Sequence, residues 1–445
     1  MAEITRRDSL ILGTGALAAA ALSGRARAAI PVGSATPPSY PAENGAALRV
    51  LRPTKFVDPD ETIFRENTKA FTDATGVPVR VDFVSWEDLR PQTAVSANTG
   101  AGPDIIIGWG DDPHLYAEKI MDLTDLADYL GAKYGGWYQL AEIYGRQWGT
   151  KTWIAIPLGG SSGPAVYRMS WLKEAGFNKF PGDLDGFLKL CQALQKTGHP
   201  SGFALGHAVG DANAFCNWML WAHGGSLADE KGQVAIDSKA TVDALNYCKE
   251  LYPVMIPGTL SWNDASNNKA FEAGQIALTQ NGVSIYYSIK NSKNPDVAKM
   301  ADDINHQFMP FGKAGGPPET SLVVNAMVFK HTKYPNAARD YLRFMMEEPQ
   351  YDKWLTGCLG YWSQPLKAYA QSAIWSSDPK LLPYREGMNT PFYWGYRGPI
   401  TDASSAVSAN YTVVDMFASV ASGAATPEAA AAAAAKQAAR YYGKS

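Results

Sequence analysis

Aromatic and acidic side chains stand directly after several predicted strands of this chain. Trp86 and Glu87 follow the second predicted strand, and Trp109, Asp111 and Asp112 follow the third. An aromatic ring packs on the apolar C–H face of a pyranose, while carboxylates accept hydrogen bonds from its hydroxyl groups. These residue types therefore favour a neutral polyhydroxylated ligand over a charged one.

Loops and turns farther along the chain supply more candidates for contact with such a ligand. They combine polar, basic and aromatic side chains: Ser161, His207, Asn213, Trp218, Trp262, Asn281, Tyr361, Trp362, Trp394 and Arg397. Structural roles compete with this one, because a single tryptophan is more often part of a core than of a binding surface. Asp111 has the alternative role of capping a helix ahead of Leu115, and Asn281 precedes a glycine, as turn residues do.

A serine motif offers a rival chemistry. Residues 159–163 satisfy the G-x-S-x-G pattern, in which Ser161 would be a hydrolytic nucleophile. That pattern requires a helix immediately after the serine, whereas Pro164 and the strand-like residues 165–167 follow here. Its possible partners are His207, His223 and Asp211. A secreted serine hydrolase is the alternative hypothesis, and the sequence favours a binding protein that is not an enzyme.

The histidines and cysteines do not indicate a metal or cofactor site. The six histidines show no HxxxH or HxH spacing, and the four cysteines have no CxxC spacing. Cys191 and Cys248 lie on apolar faces of helical patterns, which favours buried free thiols. A single disulfide is the alternative if the protein lies outside the cytoplasm. We expect no metal and no cofactor.

The N-terminus predicts export. Arg6 and Arg7 precede an apolar stretch at residues 10–22, and residues 26–28 form a small-x-small cleavage signal. Residues 1–28 are therefore interpreted as a signal peptide of the twin-arginine type, with an ordinary secretory signal as the alternative. No other apolar run approaches about 20 residues, the length that spans a membrane, so a soluble periplasmic protein is expected.

Length and charge set further limits. The 445 residues exceed one ordinary core, since single cores stop growing at about 250–300 residues, and two α/β lobes are expected. Charged residues make up 19% of the chain and the net charge is −3. This composition gives no electrostatic bias towards nucleic acid or anionic lipid.

Strand and helix patterns alternate along the chain. Residues 29–46 are rich in Pro, Ser, Gly and Ala and predict a flexible leader. Alternation at residues 77–83 predicts a half-exposed strand, and the apolar run at 104–108 predicts a buried one. Residues 153–158 repeat the buried pattern and enter a glycine-rich stretch, 159–164, which is expected to turn and cross between lobes. Such alternation predicts an α/β fold.

A second set of elements follows this crossing. Strand patterns at residues 165–167, 202–205 and 276–279 alternate with helical stripes at 184–194 and 241–251, which would build the second lobe. The last ninety residues are typical of helix.

Five stretches, in this order, carry a resemblance to a known family. They are residues 103–111 (PDIIIGWGD), Ile156-Pro157 with Tyr167, residues 271–282 (FEAGQIALTQNG), residues 335–344 (PNAARDYLRF) and residues 359–365 (LGYWSQP). The chain thereby resembles the extracellular solute-binding proteins (family 1) of carbohydrate ABC transporters, the group typified by maltose- and glycerol-phosphate-binding proteins.

The resemblance implies a type II periplasmic-binding-protein fold with the ligand cleft between two lobes. It places the N-terminal lobe at residues 47–156 plus 319–360, and the C-terminal lobe at residues 157–318 plus 361–445. It also implies a small sugar, polyol or sugar derivative as ligand, hinge closure around it, and the permease subunits of an ABC importer as partners. A monomer is the default expectation.

Two serines depart from the pattern of maltose binders. Ser161 stands where these proteins would place an acidic residue, and Ser284 where they often have tryptophan. A long maltodextrin is therefore disfavoured, and a monosaccharide, polyol or derivatised sugar fits better.

Overall fold

A computed structural model describes residues 30–313, 315–316 and 321–443. The predicted signal peptide, residues 1–28, lies outside the described residues. Eight strands form two sheets in these ranges, in the orders β2-β1-β3-β8-β4 and β6-β5-β7. The strands are β1 Leu48–Pro53, β2 Val79–Val84, β3 Ile105–Trp109, β4 Ile156–Ser162, β5 Ala165–Arg168, β6 Leu278–Gln280, β7 Ile304–Gln307 and β8 Ser321–Val328.

Helices connect the strands and cover the sheets. In chain order they are α1 Asp58–Thr75, α2 Trp86–Thr99, α3 Asp112–Leu115, α4 Thr124–Lys133, α5 Gln139–Gly145, α6 Met169–Glu174, α7 Leu184–Lys196, α8 Asp211–Ala222, α9 Lys239–Leu251, α10 Ser266–Glu272, α11 Ser284–Lys290, α12 Pro295–Asp303, α13 Pro335–Met346, α14 Glu348–Gly357, α15 Ile374–Ser377, α16 Leu382–Arg385, α17 Asp402–Ala409, α18 Thr412–Ala421 and α19 Pro427–Tyr442.

The first sheet contains the buried strand that the apolar run predicts. All five residues of β3 are buried, and β3 lies at the centre of the sheet between β1 and β8. β1 pairs in parallel with both β2 and β3, while β8 runs antiparallel between β3 and β4. The chain reaches β8 only after it has built the second sheet, and β8 runs opposite to both of its neighbours.

The glycine-rich stretch after Leu158 is a strand, and the prediction of a turn there was wrong. β4 continues through Gly159 and Gly160 to Ser162 and pairs with β8 along this length, with a register shift after Pro157. Glycine is required for close packing here. A Cβ on Gly159 would lie 2.8 Å from the Cβ of Trp362, and a Cβ on Gly160 would overlap the sulfur of Met388.

The chain passes from the first sheet to the second within two residues. Only Gly163 and Pro164 separate β4 from β5, the central strand of the second sheet. β5 pairs antiparallel with both β6 and β7. These two residues lie inside the stretch 159–164 in which the sequence predicted the crossing between lobes.

Three other predicted elements differ from the structure. Residues 202–205 form no strand; Ser201 makes isolated bridges to Met255 and Leu278. The strand predicted at 276–279 begins later, at Leu278, and is only three residues long. The last ninety residues are not continuous helix, because residues 386–401 contain neither helix nor strand.

Residues 30–46 form no helix or strand, but they contact the rest of the chain. The Glu43 carboxylate accepts hydrogen bonds from the backbone N–H groups of Asn336 (2.7 Å) and Ala337 (3.2 Å) at the start of α13. The Gly33 backbone N–H donates to the Lys133 carbonyl oxygen at 2.7 Å. Glu43 therefore satisfies N–H groups that the first turn of a helix leaves unpaired.

The four cysteines, Cys191, Cys216, Cys248 and Cys358, are all buried with free thiols. Burial raises the pKa of Cys191 and of Cys248 to about 12. The disulfide left open by the sequence is not formed. No helix within the described ranges is long and apolar enough to cross a membrane.

Candidate functional site

A narrow cavity of about 30 Å³ lies between the two sheets. A space of this size has room for one or two water molecules, so a larger ligand would enter only when the walls move apart. Residues from β4 and β8 of the first sheet, from β6 of the second, and from neighbouring loops and helices form its walls: Phe56, Ser161, Ser162, Gly163, Asp211, Ala214, Asp264, Gln280, Asn281, Gly282, Ser284, Leu322 and Tyr361.

The ends of β4 and β6 bring polar side chains to this cavity. Ser161 and Ser162 are the last residues of β4, while Gln280 ends β6 and Asn281 follows it. The Asn281 backbone N–H donates to the Pro164 carbonyl oxygen at 3.1 Å, which ties the two strand ends together. Strand ends are where open α/β sheets bind ligands.

Two carboxyl groups lie side by side in the cavity wall. The backbone N–H groups of Gly210 and Asp211 donate to Asp264 Oδ1 at 3.0 and 2.8 Å. Burial raises the pKa of Asp264 to about 6. Burial and the neighbouring charge of Asp264 raise the pKa of Asp211 well above its ordinary value. The pair therefore resists carrying two negative charges.

Two side chains of the cavity have buried polar atoms without a hydrogen-bond partner in the described part of the chain. Gln280 is only 5% exposed, and neither its Nε2 nor its Oε1 is paired. The Oδ2 atom of Asp211 is also unpaired. Since buried polar groups are paired in the great majority of proteins, a bound ligand would be the natural partner for these atoms.

An aromatic cluster forms the wall on the side of the first sheet. Phe56 stacks on Trp86 with ring centroids 5.7 Å apart, and Trp86 lies 4.7 Å from Trp109 and 6.1 Å from Trp362. Phe56 and Tyr361 reach the cavity directly, with their rings 6.3 Å apart. The predicted Trp86, Trp109 and Trp362 support this wall from behind.

Among the predicted ligand contacts, Ser161, Asn281 and Tyr361 line the cavity. Asn281 also has the structural role that its position before Gly282 suggested: its Oδ1 accepts the Gly282 backbone N–H at 2.7 Å. Its Nδ2 donates to Asn268 Oδ1 at 2.6 Å. The Asn281 side chain is thus held in place by its neighbours.

Asp111 and Asp112 lie outside the cavity wall, in an ion-pair cluster with Arg90 of α2. The Arg90 guanidinium donates to Asp111 Oδ1 and to Asp112 Oδ1, the latter at 2.9 Å. Asp112 Oδ2 accepts the Trp109 backbone N–H at 2.9 Å. Asp111 precedes α3 as its N-cap residue, but its side chain makes no capping hydrogen bond. Both carboxylates are fully buried, and burial raises the pKa of Asp112 to about 6.

Glu87 lies near the cavity without lining it. Its side chain is exposed on α2, and its charge raises the pKa of Asp264 as a lesser cause beside burial. Glu87 therefore adds a third carboxylate to the electrostatic environment of the acidic pair.

Three predicted ligand contacts, on or near α8, bind other parts of the chain. Asn213 Nδ2 donates to the Val209 carbonyl oxygen at 2.9 Å. Trp218 is fully buried, and its Nε1 donates to the Pro310 carbonyl oxygen at 3.4 Å. His207 is exposed, and its Nε2 lies 2.8 Å from Asp415 Oδ1. None of the three lines the cavity.

The other three predicted contacts also lie outside the cavity wall. Trp262 packs over Gly202, where an added Cβ would lie 2.5 Å from its ring. The Trp394 backbone N–H donates to the Tyr144 hydroxyl oxygen at 3.0 Å. Arg397 is exposed, with its guanidinium carbon 5.8 Å from the centre of the Tyr396 ring.

Ser161 does not have the setting of a hydrolytic nucleophile. It lies inside β4, and β5 rather than a helix follows that strand. The G-x-S-x-G motif requires the serine at a sharp turn into a helix. None of the described residues that line the cavity is a histidine, and Ser161 is hydrogen-bonded to Tyr361 instead. The described residues also contain no group of three or more His, Cys, Asp or Glu side chains placed to hold a metal ion.

Sequence reasoning missed several residues of the cavity wall, above all Asp264 and Gln280. Gln280 could have been found, because it directly precedes the candidate Asn281 at the end of a predicted strand. Asp211 was considered only as a partner of Ser161. Asp264 gave no signal, since its position beside Asp211 depends on hydrogen bonds between residues 53 and 54 positions apart.

Comparison with known proteins agrees with this architecture. The family model for bacterial extracellular solute-binding proteins matches residues 66–383. A probable ABC transporter-binding protein of Deinococcus radiodurans is 25% identical over 206 residues, which cover 43% of this chain and 47% of that protein. The chain thus spans about half the length of this curated relative.

Solved structures of the same fold are similar over nearly their whole length. A sugar transporter protein of Arthrobacter chlorophenolicus with bound laminaribiose has a TM-score of 0.75 at 16% identity, covering 89% of this chain and 99% of that one. An ABC transporter solute-binding protein of Agrobacterium radiobacter in complex with ribitol has a TM-score of 0.72 at 19% identity, covering 89% and 98%. The predicted fold class, two α/β lobes with a cleft between them, is confirmed. The chain belongs to the bacterial extracellular solute-binding protein family.

Proposed function

We propose that the protein is the periplasmic substrate-binding component of an ABC importer and binds a small carbohydrate or polyol in the cavity between the sheets. One observation carries this proposal: the amide of Gln280 and the Oδ2 atom of Asp211 are buried at the cavity without partners. A ligand rich in hydroxyl groups supplies both donors and acceptors for such atoms.

The lining of the cavity suits a compact ligand. Phe56 and Tyr361 offer aromatic faces on one side, and Gln280 and Asp211 offer hydrogen bonds on the other. This combination fits a monosaccharide or polyol, whose apolar C–H face and hydroxyl rim need opposite partners. Relatives of the same fold have been solved with laminaribiose and with ribitol.

The placement of the cavity also suggests how binding would be signalled. Ser161 and Leu322 belong to the first sheet, and Gln280 to the second, so one ligand would contact both lobes. A ligand held by both lobes binds the closed state better and shifts the population towards it. The closed form would be recognised by the permease subunits. We further propose that the chain crosses between the lobes near residues 157, 318 and 360.

Export by the predicted signal peptide, residues 1–28, completes the proposal. It would deliver the mature protein to the periplasm, where a binding protein meets both its ligand and its importer. The twin-arginine route fits the paired Arg6 and Arg7.

Thermal-shift screening of the mature protein against sugars, sugar alcohols, sugar phosphates and amino acids tests this function. Binding to the native state raises stability by RT ln(1 + [L]/Kd), about 4 kcal/mol at a thousandfold excess over Kd. We expect hits among neutral or aminated sugars and polyols. Hits confined to amino acids or phosphates would refute the carbohydrate assignment.

A matched pair of variants tests the site. Gln280→Leu removes the unpaired amide at the cavity, whereas Gln275→Leu makes the same change at an exposed position just before β6. We expect the ligand-induced shift to vanish in Gln280→Leu and to persist in Gln275→Leu. A shift that persists in both variants would place the ligand elsewhere.

A further inference from the structure

The cavity wall is acidic and contains no basic side chain. Asp211 and Asp264 are its titratable carboxylates, and none of the described lining residues is lysine, arginine or histidine. The exposed carboxylate of Glu87 lies close enough to raise the pKa of Asp264 further. Negative charge therefore converges on this part of the cavity from α2, from α8 and from the loop before α10.

Arg90, on the same helix as Glu87, is already paired. Arg90 of α2 forms ion pairs with both Asp111 and Asp112. Its charge is thus balanced within its own cluster and is not free to serve the acidic pair. The other titratable groups near the pair are the phenols of Tyr361 and Tyr411, whose pKa values are raised mainly by burial. These phenols stay uncharged at neutral pH.

An acidic pair without a counter-ion is costly at a buried position. Buried charges in proteins are normally paired, and like charges at one site disfavour each other's ionisation. Backbone N–H groups of Gly210 and Asp211 stabilise the Asp264 carboxylate. The Asn267 side chain hydrogen-bonds to the Asp211 carboxyl group, but Asp211 Oδ2 has no partner in the described chain. A positive group on the ligand would relieve this arrangement more than a hydroxyl group, because it balances the negative charge of the pair as well as donating a hydrogen bond.

An independent observation shows that the acidic pair faces a ligand position. Gln280, which is 5% exposed, presents an unpaired amide oxygen and an unpaired amide nitrogen to the same cavity. The amide oxygen is a further acceptor for an N–H donor. The amide nitrogen remains available for a hydroxyl group of the same molecule.

We propose that the ligand carries a protonated amino group, as an amino sugar or an aminated polyol does, and that this group binds at Asp211 and Asp264. This inference rests on the proposed function and narrows its substrate class. It also implies that sugar phosphates and sugar acids are rejected, because their anionic groups would meet carboxylates without a balancing cation.

Isothermal titration at low ionic strength with matched ligand pairs tests the inference. The panel contains hexoses, pentoses and alditols, each in a neutral and an amino form, such as glucose with glucosamine and glucitol with 1-amino-1-deoxyglucitol. N-acetylglucosamine keeps the nitrogen but removes its charge, and glucose 6-phosphate adds a negative charge. We expect the amino form of at least one pair to bind about tenfold more tightly or better than its neutral form, and the phosphate not to bind.

The variant Asp211→Asn keeps the shape of the side chain and removes its charge. We expect it to reduce the preference for the amino form at least several-fold, whereas Asp185→Asn, the same change at an exposed site on α7, leaves the preference intact. A preference that persists in both Asp211→Asn and Asp264→Asn would overturn the assignment of the site.

The remaining outcomes separate the two proposals. If the neutral member of each pair binds as tightly as the amino member, the inference about the amino group fails while carbohydrate binding stands. If no member of any pair binds, the proposed carbohydrate function fails together with the inference.

Discussion

The backbone N–H of Asp211 donates a 2.8 Å hydrogen bond to the side chain of Asp264. Asp264 therefore caps the start of α8 and lies beside Asp211, the first residue of that helix. Gly210 donates to the same oxygen at 3.0 Å. Unpaired N–H groups and the helix dipole stabilise negative charge at a helix N-terminus. Asp264 receives this stabilisation directly, and Asp211 bears the repulsion that results.

The variant Asp211→Asn should stabilise the ligand-free protein at alkaline pH. The folded protein raises the pKa of Asp211, so this carboxyl group favours folding below its unfolded pKa of about 3.9 and loses that contribution as pH rises through its folded pKa. We expect the stability of the variant relative to the unsubstituted protein to increase as pH rises from 4 to 8. Melting temperatures at both pH values, with Asp185→Asn as control, measure it. An equal gain at pH 4 would point to a cause other than charge.

Gly282→Ala should weaken ligand binding across the cavity. A Cβ at this position would lie 2.4 Å from Ser161 Oγ, so the methyl group would press the loop after β6 against the end of β4. The backbone of Gly282 is outside the left-handed region and accepts alanine. We expect the Kd of the best panel ligand to rise about tenfold or more, which corresponds to about 1.4 kcal/mol.

The double variant Ser161→Ala/Gly282→Ala provides the control for this steric explanation. Removing the serine oxygen takes away the atom that the new methyl group would meet. Residues in direct contact have non-additive effects, so part of the affinity should return. If the double variant binds more weakly than either single variant, the two residues do not meet in the bound state.

Arg90→Met should destabilise the protein strongly at neutral pH. The substitution leaves Asp111 and Asp112, both fully buried, without their cation, and breaking a buried ion pair costs about 3–5 kcal/mol. The loss should be smaller near pH 4, where the two carboxyl groups are protonated more fully. Lys69→Met, which removes a surface partner of Asp73, should change stability by less than about 1 kcal/mol. Urea denaturation at two pH values compares them.

Ser161 should show no nucleophilic reactivity. It is placed within a strand, with Tyr361 as its hydrogen-bond partner and without a helix after it. We expect a fluorophosphonate probe to label the mature protein no more than its Ser161→Ala variant. Stoichiometric labelling that Ser161→Ala abolishes would restore the hydrolase hypothesis.

Small-angle scattering should detect closure on ligand binding. Since residues of both sheets line the cavity, bound ligand would hold the lobes together and lower the radius of gyration. Gln280→Leu should show no such decrease at the same ligand concentration. An unchanged radius in a protein proven to bind would show that the lobes do not move.

Local patterns in the sequence predicted part of the framework of the cavity. The apolar run at 104–108 predicted β3, and the rule that ligands bind beyond strand ends selected Ser161 and Asn281, which line the cavity. Tyr361 was found through the resemblance of its turn to a known family. The positions of these residues depend on neighbours in the sequence or on the order of the strands.

Residues whose roles depend on distant partners could not be placed in the same way. Nothing in the sequence indicated that Arg90, 21 positions before Asp111, forms an ion pair with the carboxylate of Asp111. The glycines at 159 and 160 predicted a turn because glycine is common there, yet they serve to admit the side chains of Trp362 and Met388 beside β4. Asp264 was missed because only the folded chain brings it to the start of α8.

The buried thiols have a practical consequence for measuring the ligand. The thiolate is the reactive form of cysteine, and burial of Cys191 and Cys248 raises their pKa values to about 12, while Cys216 and Cys358 are buried as well. A maleimide dye would therefore leave the native cysteines unmodified and react with a single one introduced at the surface. Lys55→Cys would place it on an exposed residue next to Phe56 at the cavity, so the protein's own thiols need not be removed to make a fluorescent reporter of occupancy.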